Sequence, residues 1–165
     1  MNSATMTGSL IFATALAVLY LVVTGLMRRG WRRRAQREAG LIGPLPPLPE
    51  VLGTQLRAMG GKYLGCTLVR GWPQRIAAGD LGYPDRAVLI GFAEGIMVRR
   101  DHTRAIWIPR ESITAIRAAS ALAGKVVTGN AVLAIRWRLP SGVEIDTGFR
   151  GNNRSDYADW LQEVA

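Results

Sequence analysis

One cysteine and one histidine serve all 165 residues, and that scarcity closes several routes. A lone Cys66 excludes an internal disulfide and a multi-cysteine metal site, and in the strand-like Lys62–Val69 it reads as a buried, inert thiol. A lone His102, in the turn-like Asp101-His102-Thr103, reads as a solvated turn residue. The carboxylates Glu94, Glu111, Asp146 and Asp156 are scattered over turns, a strand and a helix start, so no nucleophile and base pair forms. The expectation is a protein that is not an enzyme and needs no cofactor and no metal.

Charge is missing altogether from residues 1–27. Leu10 to Met27 is an unbroken uncharged, mostly apolar run, and with Gly8 and Ser9 it supplies the roughly 17–25 residues that a helix needs to cross a bilayer. We read 8–27 as a transmembrane helix behind a short extracytoplasmic tail, 1–7. A cleaved secretory signal would put its basic segment before the apolar run, and here the order is reversed. A buried core helix apolar on every face would need a larger protein around it.

Immediately after Met27 the chain turns basic: Arg28, Arg29, Arg32, Arg33, Arg34 and Arg37, with Trp31 among them, make a juxtamembrane segment 28–38. Flanks rich in arginine stay on the cytoplasmic side, which puts the N-terminus outside and residues 28–165 in the cytoplasm, at the inner (plasma) membrane. These seven residues are the expected membrane interface, with the arginines reaching anionic headgroups of the lipid bilayer. A topology signal without lipid preference is the plainer reading. Six arginines against Glu38 give this segment +5, leaving fifteen basic against eleven acidic residues, or +4, elsewhere. So mild a residue of charge, with no nucleic-acid-binding motif, points to no nucleic acid as partner.

Residues 39–53 carry four prolines between Pro44 and Pro49, which remove donors and fix φ. An extended Pro-rich linker standing the next domain off the membrane is expected, with docking of a partner groove as the alternative.

Beyond residue 53 the hydrophobic period is two. Ala87–Phe92, Ile96–Arg100, Arg104–Ile108, Ile113–Arg117, Ala131–Leu139 and Val143–Phe149 read as strands, joined at Ala93-Glu94-Gly95 and Pro140-Ser141-Gly142 by hairpin turns. On the last of them, Glu144, Asp146, Gly148 and Arg150 fall on a solvated face, and Gly148 marks a bulge or a close backbone approach. Ser155 is a candidate N-cap for a closing helix whose Tyr157, Trp160, Leu161 and Val164 share one face.

Strands followed by one C-terminal helix, with Glu94–Val98 and Trp107-Ile108-Pro109-Arg110-Glu111-Ser112-Ile113-Thr114-Ala115-Ile116, resemble bacterial pleckstrin-homology-like (PH-like) domains. Ala123–Val127, Ile135-Arg136-Trp137 and Asp146–Arg150 resemble, more narrowly, a family of single-pass actinobacterial membrane proteins loosely labelled transporters or export proteins. The resemblance implies a mainly β domain over 54–165: a PH-like bent antiparallel sheet or barrel of about seven strands capped by one helix. Relatives that bind inositol phosphates use basic residues around the first hairpin. This chain offers Lys62, Arg70 and Arg75 there without the usual tight spacing. With Lys125 and Arg150 they make a possible ligand or partner surface, against the plain reading of ordinary surface charge. Gly124-Lys125 lacks the glycines and the Ser or Thr of a phosphate loop and reads as a structural turn.

The expected function is a membrane-anchored adaptor in which the cytoplasmic PH-like module holds a protein partner at the inner membrane surface. The alternatives are an accessory subunit of a membrane transport, export or envelope assembly, and a module that itself binds anionic lipid. One uncharged span lines no polar path by itself, so transport would need further chains.

Overall fold

The apolar N-terminal stretch folds as one unbroken helix, α1 (Ser3–Ile42), in a computed structural model that describes residues 3–69, 75, 76, 78–119, 121, 122, 125, 126, 132–153 and 155–161. Its large apolar side chains from Ile11 to Met27 are exposed, and by length and composition the helix can cross a membrane. It does not stop at Met27. It runs through the arginine segment into Ala39–Ile42, residues that composition alone assigns to the linker. Gly43 ends it: at φ +67° its N–H donates to the Ala39 carbonyl at 3.0 Å, and Pro44 forbids another turn.

The extra turns have a reason. Trp31, Ala35, Glu38 and Ile42 fall within about 60° of arc at 100° per residue, so they form one stripe. Ala35 is half-buried, Glu38 is buried, and Ile42, 2% exposed, belongs to the main core of the domain beyond the helix. The Pro-rich segment is likewise laid on that domain rather than standing free. Leu45 packs against the main core, and Leu52 against the cluster of Ile90, Phe92 and Trp107. Leu45 and Leu52 gain by burial what a free spacer would leave in water, while Leu48 stays exposed.

The described strands are β1 (Gln55–Leu68), β2 (Asp85–Phe92), β3 (Gly95–Arg100), β4 (Ile106–Pro109), β5 (Ile113–Ala119), β6 (Ala121–Leu122), β7 (Lys125–Val126), β8 (Val132–Arg138) and β9 (Glu144–Gly151). Seven form an open antiparallel sheet in the order β4-β3-β2-β1-β9-β8-β5, while β6 and β7 pair as a small hairpin. The fold class expected from the sequence is thus what the structure holds. Long β1 belongs to both halves, pairing β2 along its first part and β9 along its second. It begins seven residues before the strand expected around Cys66, because Gly60-Gly61 continues it rather than breaking it. At Gly61 the Arg150 carbonyl and the Phe149 ring leave no room for a Cβ.

Inward alternation fills the core with Met59, Tyr63, Leu89, Ile96, Val98, Ile135, Trp137, Ile145 and Phe149. The register of β1 against β9 slips between Tyr63 and Gly65, opposite Phe149 and Gly148, so the bulge sits across from Gly148. Leu64, outward like Lys62, joins Ala119, Val132 and Ala134 in a second apolar cluster, and the slip after it brings Cys66 and Leu68 back to the main core.

Helix α2 (Tyr157–Leu161) closes the described chain; Val164, placed on its apolar face by the sequence, lies outside the described residues. Trp160, 1% exposed, lies over the bare backbone of Gly91 and receives the Arg57 guanidinium at 5.5 Å from its ring centre. The Tyr157 hydroxyl accepts the Gly151 N–H at 3.0 Å.

Candidate functional site

Hydrogen bonds first show which polar groups are already occupied. Trp137 Nε1 donates to Thr147 Oγ1 at 2.8 Å, Cys66 Sγ lies 3.2 Å from the same oxygen and 3.1 Å from the Tyr63 hydroxyl, and Tyr63 donates to the Leu81 carbonyl at 2.5 Å. Burial pushes both the Tyr63 hydroxyl and the Cys66 thiol above their ordinary pKa ranges, so neither supplies an anion at neutral pH. Arg100, its side chain 1% exposed, stacks 5.1 Å over Tyr63 and spends its donors on the Asp80 carboxylate and the Asp80 and Arg104 carbonyls. These groups tie the β1–β2 connection to β3. They do not face a ligand.

His102 is exposed, as its turn setting suggested, yet it is not merely solvated. Its Nδ1 and its backbone N–H both meet Asp85, at 2.8 Å each. Hydrogen bonding to His102 draws the Asp85 carboxyl down to about 2 and, in return, raises the imidazole above its usual value. Among the described residues, no group of three or more His, Cys, Asp or Glu side chains gathers as a metal site would require.

On the outer face of the sheet, β9 corrects one expectation. Asp146 is not solvated: its side chain is 8% exposed, held by Arg117 at 2.6 Å and Arg136 at 2.8 Å. Beside it Arg138 pairs with Glu144 at 3.1 Å. In this half of the face every one of these arginines has an acid as partner.

The other half differs. Alternation turns Lys62 outward between Met59 and Tyr63, and the register sets it directly opposite Arg86 of β2 on one side and Arg150 of β9 on the other. Arg99 of β3 faces Val88 and so stands diagonally from Arg86 on the same surface. All four cations are exposed, and none makes an ion pair among the described residues. Three cations in register across two strand spacings span only about 10 Å. Like charges directly opposite one another destabilise a sheet, so this row suits an anionic group that binds across it.

Of the expected surface residues, the structure therefore brings Lys62 and Arg150 together. Arg75 is elsewhere, bridged to Thr67 and lining a cleft of about 140 Å³ with Trp31, Ile76, Gly82, Tyr83 and Pro84. Lys125 lies on β7, across from Leu122. Arg70, Gly124 and the stretch Val127–Ala131 lie outside the described residues. Of the expected membrane interface, Arg28, Arg29, Trp31, Arg32, Arg33 and Arg37 are exposed on α1, and Arg34 is part of the same helix.

Sequence reasoning missed Arg86 and Arg99. Arg86 stands just before the expected strand Ala87–Phe92 and Arg99 within Ile96–Arg100, and only the register shows which cations they neighbour.

No curated protein matches the chain. A family model described as bacterial PH domain-like matches residues 42–165, from the buried end of α1 through every strand and α2. The open seven-stranded sheet with its short closing helix is the fold this match implies, a fold consistent with a binding module, and the chain belongs to the bacterial PH domain-like family.

Proposed function

We propose that this protein is a non-enzymatic adaptor: α1 crosses the inner membrane once with its N-terminus outside, and the cytoplasmic domain holds an acidic segment of a protein partner against Arg86, Lys62, Arg150 and Arg99. The observation that carries the reading is that row of exposed cations, set in register and without an ion pair among the described residues, while the acids of the neighbouring half of the same face are paired. Orientation rests on the arginines after Met27, which favour retention on the cytoplasmic side and contribute on the order of 1 kcal/mol each at an anionic bilayer surface. Acidic segments approach such a row quickly and leave it as salt screens the charges.

The test is crosslinked pull-down from native membranes with the full chain and with the double variant Lys62→Glu, Arg150→Glu. The expected result is a partner recovered by the former, lost from the latter, and released by moderate salt. Recovery of the same proteins by both chains would overturn the assignment of the site.

A further inference from the structure

A helix that anchors a domain through a flexible tether leaves that domain free to turn; α1 does not. The rod runs unbroken from its exposed apolar stretch to Ile42, and Ile42 is part of the domain core. The domain's attitude toward any bilayer crossed by α1 is therefore set by which loops pack beside the helix where it emerges.

Those loops are known. Trp31 faces Ile76, Gly82, Tyr83 and Pro84 across the cleft of about 140 Å³. The uncharged run ends at Met27, and Trp31 lies four residues further, about 6 Å along the axis. Each headgroup layer of a bilayer is about 5–7 Å deep, half the difference between its full thickness and its hydrocarbon core. Trp31 is 54% exposed and Tyr83 is 58% exposed, two amphipathic rings lining one cleft. Trp and Tyr prefer this layer because one end of the ring is apolar and the other forms hydrogen bonds. Arg28, Arg29, Arg32 and Arg33 are exposed around the same turns of helix, where lipid phosphates would meet them.

We infer that the part of the domain around Arg75, Ile76 and Gly82–Pro84 is seated in the phospholipid headgroup layer of the bilayer that α1 crosses, with Tyr83 and Trp31 as its paired interfacial rings. This contact rests on the reading of α1 as a membrane span. It needs no specific lipid headgroup, because the rigid helix supplies the proximity and the aromatic rings supply the preference. It adds a second membrane contact, made by the domain rather than by the span.

The experiment places a spin label at one of three positions in the full chain, reconstituted into nanodiscs of phosphatidylcholine with phosphatidylglycerol: Leu19→Cys, Tyr83→Cys or Val51→Cys. All three sites are exposed, and Cys66, fully buried, does not compete for the label. Val51 adjoins Leu52, which packs on the apolar cluster holding Phe92, at the opposite end of β2 from Tyr83, and serves as the water-facing reference. Relative accessibility to oxygen and to a water-soluble nickel chelate gives depth. The expected order is position 19 in hydrocarbon, position 83 at the level of the lipid phosphates, and position 51 in water. Position 19 in hydrocarbon with position 83 as accessible to nickel as position 51 would overturn the headgroup contact and leave the span intact. Position 19 in water would overturn the span itself, and the contact with it.

Discussion

The two halves of the outer sheet face treat the same problem in opposite ways. Across β5, β8 and β9, Arg117 and Arg136 converge on one nearly buried Asp146, and Arg138 takes Glu144. Across β3, β2, β1 and β9, Arg99, Arg86, Lys62 and Arg150 stand together without an ion pair among the described residues. Strand β9 carries both arrangements, Asp146 near one end and Arg150 near the other. The paired half is built for the fold. The other gives up some stability, and repulsion that a sequence could have relieved with a single glutamate is what an anionic partner would relieve instead.

The sharpest way to break the comparison is at the seam. Gly61→Ala forces a Cβ onto the Arg150 backbone where β1 passes from one half to the other, and should destabilise the domain by about 3 kcal/mol or more, seen as a large drop in melting temperature of the full chain in detergent. Next in size is Asp146→Asn. It leaves two arginines facing each other without their anion and should cost about 2–3 kcal/mol in the same assay; both arginines are partly exposed, so the loss falls below that of a fully buried pair.

Lys62→Glu should move stability the other way. Two like-charged neighbours become two opposite-charged ones, a gain of about 0.2–1 kcal/mol, while partner capture falls at least tenfold. A variant that lost stability and kept its partner would erase the distinction between the halves.

The smallest effect is that of pH on the Asp85–His102 clasp, with Asp101 and Arg86 nearby. Asp85 titrates below its unfolded value, so its contribution is present above about pH 4 and is lost as acid passes its folded pKa of about 2. His102 is raised, so its contribution is full below about pH 6.5 and is lost as pH climbs through the folded value. Melting temperature should therefore show a shallow plateau between these limits, and Asp85→Asn should flatten it.

Much of this molecule could be read from residue order alone. Alternation in Val143–Phe149, and the short apolar run Ala87–Phe92 bounded by turn signals, placed β9 and β2 within two residues. Pairing register is a different matter. It depends on pairings between strands far apart in sequence and on slips such as that between Tyr63 and Gly65, which no local pattern announces. Hence the burial of Asp146, and the meeting of Lys62 with Arg86, emerge only in three dimensions. The continuation of α1 was hidden for another reason: the stripe Trp31, Ala35, Glu38 and Ile42 is interleaved with arginines that the membrane already explained.

Strand β1 has one more consequence, for how the protein is made. Gly61 pairs with Gly151, so the central strand leaves the ribosome on the order of ten seconds before its last neighbour exists. Until then that half of β1's hydrogen-bonding edge has no partner strand, so the sheet closes only after β9 has emerged.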